Sequence, residues 1–286
     1  MTSRRAFLEQ AATAAAAAGA ASAMPRMLRA LPARADRLDR IGLQLYTVRS
    51  EMAKSVEATL ERVAAIGYRE VEFAGYFDRA PEKVREALDK LGLTSPSTHV
   101  GLGALENQWE ANAATAKALG HRWLTVASVG ERGAFDTVAS IKALAARFNA
   151  IGRKARDAGL RYGYHNHNTE FRLVEGAVPL EVLLSETDPS LVDFEMDVYW
   201  VTQGGGDPLA LIAKFPGRFH LVHAKDSSGA PAHEMRDVGS GTIDWKKFFA
   251  QRRKAGVEHV FVEHDQPKEP FASIAASCAY LKALEF

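Results

Sequence analysis

The chain has 286 residues, of which 47% are hydrophobic, and its 36 lysines and arginines nearly balance its 35 aspartates and glutamates. A chain this close to neutral lacks the basic surplus with which a protein neutralises many phosphates, which excludes nucleic acid as an expected partner. Its one cysteine, Cys278, likewise excludes an intrachain disulfide.

The first 35 residues have the composition of an export signal. The pair Arg4-Arg5 precedes an uncharged, alanine-rich run over residues 11–23, an order typical of twin-arginine signal peptides. Small-residue cleavage patterns end at Ala23 and at Ala35. The run is shorter than the roughly 20 apolar residues of a membrane span. We therefore expect a signal and linker over residues 1–35, the twin-arginine export machinery as a partner, a periplasmic location and no stable membrane anchor.

From residue 41 onward, short β-rich runs alternate with longer segments of helical periodicity. The eight predicted strands cover residues 41–46, 70–73, 97–100, 123–127, 161–166, 192–197, 220–223 and 259–263. The eight predicted helices cover residues 56–66, 82–91, 105–119, 140–158, 180–185, 208–214, 245–254 and 271–284.

This alternation predicts a parallel sheet with right-handed helical crossovers, and eight units are enough to close it. Glycines such as Gly67 and Gly92 stand where a helix has to stop before the next strand. No Gly-x-Gly-x-x-Gly follows the first strand, which disfavours an open doubly wound sheet that binds a dinucleotide. The sequence therefore predicts an α/β fold, a single-domain (β/α)8 TIM barrel over residues 36–286.

Active sites of such barrels lie at the C-terminal ends of the strands, and the last four predicted strands all end in side chains that bind metals. These side chains are His165, Asp197, His223 and Glu263. Two imidazoles and two carboxylates suit one divalent ion: Mn²⁺, Zn²⁺, Co²⁺, Ni²⁺ or Fe²⁺. Each residue also has a structural interpretation, as a hydrogen-bonded core histidine or as an ion-paired or helix-capping carboxylate. Four such strand ends in succession favour the metal site.

Four further residues near strand ends are candidate substrate contacts. His99 either polarises a substrate oxygen or forms a hydrogen bond within the barrel mouth. Glu72 lines the same mouth or pairs with a loop arginine. Lys225 is expected to bind a substrate oxygen, because it follows His223 by two residues and so shares its face of the strand. Trp200 stacks on a sugar or fills the mouth as core.

Several motifs from residue 41 to the end resemble the sugar phosphate isomerase/epimerase family, the xylose isomerase-like TIM barrels. The two most compact are Tyr164-His165-Asn166-His167 and His223-Ala224-Lys225-Asp226. The others occupy residues 41–49, 197–200, 237–245 and 262–264.

The resemblance implies one divalent ion held by Glu, Asp, His and Glu from the last four strands. The last three ligands correspond to Asp197, His223 and Glu263, whereas the first is replaced, because strand five reads His165-Asn166-His167. Inosose dehydratases resemble this chain in having a histidine-rich strand here. In the epimerases of the family, two glutamates remove and return a proton on opposite faces of the substrate. One of the two is missing here, which leaves Glu263 as general base, with His165, His167 or another residue as its partner.

Two enzyme classes follow for a small sugar or keto-sugar substrate. The first is a metal-dependent isomerase or epimerase that abstracts a proton next to a carbonyl. The alternative is a lyase or dehydratase that performs β-elimination on a keto-sugar, keto-glycoside or inosose. A sugar-binding protein without catalysis would not need the four metal-binding side chains. A DNA-repair endonuclease would need more metal ligands and a basic groove, which the sequence lacks.

Overall fold

Eight parallel strands close into a barrel in the computed structural model, which describes residues 36–286. The strands, numbered β1 to β8 here, are Gly42–Gln44, Glu70–Phe73, Thr94–Val100, Trp123–Val126, Arg161–His165, Val192–Asp197, Phe219–Ala224 and His259–Val262. Each strand pairs with its neighbour in the chain, and β1 also pairs with β8 through Gly42 and Phe261. The predicted (β/α)8 barrel is confirmed.

Helices surround the barrel as the crossovers between strands. They are Arg49–Met52, Val56–Ile66, Pro81–Leu91, Leu102–Asn107, Trp109–Leu119, Val138–Asp157, Pro179–Glu186, Val198–Gln203, Pro208–Lys214, Trp245–Ala250, Arg252–Ala255 and Pro270–Ala283. The helix Val56–Ile66 ends at Gly67, whose φ of 111° lies in the left-handed region that glycine tolerates best. Among the described residues, none of the helices combines the length and apolar composition that a membrane crossing requires.

Two of the predicted helices are each divided in the structure. The segment 105–119 contains the end of the helix Leu102–Asn107 and the whole of the helix Trp109–Leu119. The two meet at Gln108, whose φ of −132° and ψ of 37° are not helical. The segment 245–254 breaks in the same way at Gln251. The helix Val198–Gln203 was not predicted, because it begins directly at the end of β6 with no intervening loop.

On three strands, an apolar layer of the barrel interior lies directly below polar residues of the C-terminal end. Trp123, Leu221 and Phe261 form a buried apolar cluster on three strands. Two residues later on the same strands, and therefore on the same interior face, stand Thr125, His223 and Glu263. The apolar residues on the outer faces of the strands pack against the helices. The polar side chains at the C-terminal ends of these strands are thus separated from the other end of the barrel by buried apolar side chains.

Candidate metal and substrate site

Four side chains converge where the last four strands end. His165 closes β5, Asp197 closes β6, His223 lies in β7, and Glu263 directly follows β8. Each offers one ligand atom, these four atoms lie within 4.8 Å of one another, and all four residues are buried. The structure therefore brings together the four residues that the sequence predicts as metal ligands.

His165 presents one ring nitrogen to this group. Its Nδ1 donates a hydrogen bond to the carbonyl oxygen of Ala127 at 3.0 Å. In the neutral ring that a metal ligand requires, Nε2 carries the lone pair, and this atom lies 3.3 Å from Oδ2 of Asp197. A backbone acceptor on the far nitrogen is the arrangement that orients a metal-binding histidine and selects its tautomer.

His223 lies between two carboxylates. Its Nε2 is 2.8 Å from Oε2 of Glu72, and its Nδ1 is 2.8 Å from Oε2 of Glu263. Nevertheless, neither Nδ1 nor Oε2 of Glu263 has a hydrogen bond of acceptable geometry among the described residues. Two buried polar atoms that face each other without bonding are costly unless a third group satisfies both. Oε2 of Glu263 has an ion pair with Lys225, but Nδ1 of His223 has no hydrogen bond among the described residues. Together with Nε2 of His165 and Oδ2 of Asp197, these two atoms fit a divalent ion.

The carboxylate of Asp197 has a fixed orientation. Its Oδ1 accepts a hydrogen bond from the backbone N–H of Trp200 at 3.0 Å and so caps the helix Val198–Gln203. Its backbone N–H donates to Oδ1 of Asn166 at 3.1 Å. Burial alone raises the pKa of Asp197, but Lys225 and His165 outweigh it and lower that pKa below its ordinary value. Oδ2 is thus left as an ionised ligand atom.

The ammonium group of Lys225 lies among the same carboxylates. Its Nζ lies 2.9 Å from Oδ2 of Asp197, 2.7 Å from Oε2 of Glu263 and 2.8 Å from Oδ1 of Asp265. Burial by itself lowers the pKa of Lys225, yet the three carboxylates raise it above its ordinary value. An ion held by the four predicted ligands therefore shares two carboxylates with a permanent ammonium group.

A second cluster lies deeper in the barrel and also includes His223. Nε2 of His99 is 2.8 Å from Oε2 of Glu195 and 3.4 Å from Oε2 of Glu72, while Oε1 of Glu195 is 3.3 Å from Nε2 of His223. Burial lowers the pKa of His99, but Glu72 and Glu195 outweigh it and the pKa is raised. Glu195 was not among the site residues predicted from the sequence. Its signal was the two-residue spacing to Asp197 on a predicted strand, which places both on one face.

A cavity of about 430 Å³ opens above these clusters. Five predicted site residues line it: His99, His165, His167, Lys225 and Glu263. The lining also contains Tyr46, together with Arg49, Asp265 and Gln266, for which the sequence predicted no role. Burial, reinforced by His165, lowers the pKa of His167 to about 3, so this ring is neutral.

Two predicted substrate contacts lie away from this lining. Glu72 is fully buried beneath the cavity, where its carboxylate accepts hydrogen bonds from Gln44 at 2.7 Å and from Ser97 at 2.5 Å. Its partners are therefore these groups and His223 rather than a loop arginine. The Trp200 ring lies 5.5 Å from that of His167, measured between centroids.

The chain is similar to a known protein family and to several named proteins. The family model described as Xylose isomerase-like TIM barrel matches residues 60–284. An inosose dehydratase of Lacticaseibacillus casei is 23% identical over 274 residues, covering 82% of this chain and 91% of that protein.

Two solved structures share the architecture. A sugar phosphate isomerase/epimerase from Parabacteroides distasonis superposes with a TM-score of 0.76 at 26% identity and covers 91% of this chain and 98% of its own. The IOLI protein, solved with a binding zinc atom, has a TM-score of 0.64 at 13% identity and covers 83% of this chain and 95% of its own. At that identity, the likeness to IOLI shows the fold alone.

Proposed function

Because the chain belongs to the xylose isomerase-like TIM barrel family, we propose that it is a divalent-metal-dependent lyase. It would eliminate water or another β substituent from a keto-sugar or a cyclic polyol ketone. One observation carries this proposal: His165 and His167 line the cavity at the end of β5, where the resemblance to the family implies a glutamate. The inosose dehydratases among the relatives support the same reading.

The residues fit one divalent ion, which His165, Asp197, His223 and Glu263 would hold. When bound, such an ion supplies Lewis-acid polarisation of the substrate carbonyl. The neighbouring Lys225 adds a positive charge, which stabilises negative charge as it develops on the substrate oxygen. Zn²⁺, Mn²⁺, Co²⁺, Ni²⁺ and Fe²⁺ all suit these nitrogen and oxygen donor atoms.

Glu263 is the proposed general base. Burial raises its pKa, but Lys225 and His223 outweigh burial and hold that pKa well below its ordinary range, so the carboxylate is ionised. It would take the proton from the carbon next to the carbonyl. The C–H electron pair then forms a C=C bond, and the bond from the β carbon to its oxygen breaks.

The departing oxygen needs a proton, and His99 would give it. His99 lines the cavity, and its Nε2 is held by Glu195 at 2.8 Å. In the protonated ring, Nδ1 then remains as the second donor. An elimination needs a base for the α proton and an acid for the leaving oxygen, and Glu263 and His99 would supply them.

Product analysis tests the proposal. The enzyme, loaded in turn with Zn²⁺ and Mn²⁺, is incubated with an inosose and with a 3-keto-glycoside, and the products are followed by mass spectrometry and ultraviolet absorption. Elimination yields an unsaturated ketone together with water or a free alcohol. A product of unchanged mass would instead indicate an isomerase or epimerase. The similar structure from P. distasonis is described as a sugar phosphate isomerase/epimerase, which supports this second candidate.

A further inference from the structure

A second cavity continues from the first at the barrel mouth. It measures about 350 Å³ and shares two lining residues, Ser128 and His167, with the cavity above the metal site. Small-molecule sites generally measure about 300–1,000 Å³, so each of the two cavities is large enough to hold one sugar-sized portion of a ligand. The loop after β4 and the segment after β5 form its walls.

The second cavity presents polar groups that the protein itself does not use. Within residues 36–286, no hydrogen bond or ion pair engages the side chain of Ser128, Asp136, Asn168 or Arg172. Phe135 adds a half-buried aromatic ring to the same wall. An aromatic face beside free donors and acceptors matches a sugar ring, which has apolar C–H bonds and hydroxyl groups.

Two acidic side chains of the same cavity, unlike the four unbonded ones, are engaged by groups of the protein. Glu131 also lines this cavity, but Arg147 binds both of its oxygens at 2.6 Å. Glu170 is buried and accepts hydrogen bonds from Tyr164 at 2.5 Å and Thr169 at 2.6 Å. Glu131 and Glu170 are thus bonded to groups of the protein, whereas the side chains of Ser128, Asp136, Asn168 and Arg172 remain available to a ligand.

We propose that this second cavity is a subsite for a second sugar unit. The substrate is then a keto-glycoside whose oxidised ring lies in the first cavity and whose leaving sugar lies past His167. The inference rests on the proposed function for the identity of the first ring. In a 3-keto-glucoside, the C2 proton moves to Glu263, a C1=C2 bond forms and the C1–O bond breaks. The leaving sugar oxygen takes a proton, so atoms and charges balance.

The test compares two substrates that carry the same 3-keto-glucose ring, a methyl glycoside and a disaccharide. We expect a kcat/KM at least about tenfold higher for the disaccharide, the worth of one good hydrogen bond or stacking contact. A sugar is also a better leaving group than methanol. The decisive quantity is therefore the loss of this preference in the variants Arg172→Ala and Phe135→Ala, expected at about fivefold or more.

Arg153→Ala is the matched control, because Arg153 is exposed on the helix Val138–Asp157, away from both cavities. It should leave the preference unchanged. An identical preference in wild type, Arg172→Ala and Phe135→Ala would overturn the subsite.

A binding measurement separates this proposal from the proposed function. Calorimetry with the unoxidised disaccharide and methyl glycoside should show tighter disaccharide binding in the wild type and a reduced difference in Arg172→Ala. If neither ketone undergoes elimination, the lyase proposal fails and the Kd comparison still decides the subsite. If the methyl glycoside reacts and the Kd values are equal for both ligands, the subsite alone fails.

Discussion

At the residue scale, each proposed role depends on which atom of a side chain is free. In His165 and His223 one ring nitrogen has a protein partner, and the other faces the proposed ion. In Glu263 the same oxygen faces both His223 and Lys225. Substitutions that keep the shape of a side chain but change its donor and acceptor atoms therefore test these roles most directly.

Glu263→Gln keeps the shape of the proposed base and removes its basicity. We expect the rate of the chemical step to fall by at least about 10²-fold, a typical contribution of a general base. Single-turnover kinetics in excess metal ion measures that step while occupancy is maintained. Near-normal turnover in the metal-replete variant would place the base elsewhere, with His165 or His167 as the next candidates.

Glu72→Gln tests the orientation of His223. The carboxylate of Glu72 accepts from Nε2 of His223, which leaves Nδ1 for the ion, and loss of such a partner typically costs 10–100-fold in metal affinity. Titration calorimetry and elemental analysis measure this loss directly. Glu70→Gln is the control, because Glu70 is also buried in β2 and bonded to a histidine, His259, at 2.7 Å. Equal metal affinity in both variants would contradict the role of Glu72.

His121 makes the stability depend on pH. Burial lowers its pKa to about 4 from 6.5, although its Nδ1 donates to the carbonyl oxygen of Ser95 at 2.7 Å. Between pH 6.5 and pH 4 the unfolded chain binds this proton and the folded chain does not, so its contribution to stability is lost as pH falls. Urea unfolding should show a shallower pH dependence for His121→Gln in this window. An unchanged slope would remove His121 as a cause.

At the element scale, the position of a helix on the barrel depends on close backbone contacts. A Cβ added to Gly152, in the helix Val138–Asp157, would collide with the carbonyl oxygen of Leu191, just before β6. The segment leading into β6 carries Glu195 and Asp197 to the site. This close approach therefore helps to position both carboxylates.

Gly152→Ala should destabilise the fold by about 1–3 kcal/mol, because the colliding atom belongs to the backbone and cannot rotate away. Denaturant unfolding measures the change. Gly103→Ala is the matched control in the helix Leu102–Asn107, where a new Cβ meets no atom within 4 Å. That change should stabilise by about 0.5–1 kcal/mol. A neutral Gly152→Ala would show that the helix shifts freely.

At the scale of the whole molecule, the described residues 36–286 form one compact unit. The predicted twin-arginine signal lies outside the described residues and stays a prediction. Export through that route carries folded proteins, so metal loading in the cytoplasm would precede translocation.

Replacing Arg4 and Arg5 together by lysine should retain the protein in the cytoplasm, since the pair is the recognised part of such signals. Cell fractionation and immunoblotting measure the distribution. Glu9→Gln, a charge change within the same segment that leaves the arginine pair intact, is the control. Undiminished periplasmic delivery of the double variant would exclude the twin-arginine route.

The sequence by itself determined the barrel, the order of its strands and the four strand-end residues His165, Asp197, His223 and Glu263. Alternation, glycine stops and the two-residue period of a strand are local signals, and chain order then sets neighbouring strands side by side. Only the tertiary structure decided that Glu72 bonds to His223, 151 residues away, and that Tyr46, Arg49 and the second cavity flank the site. Such contacts depend on barrel closure and on loop conformation, which periodicity does not encode.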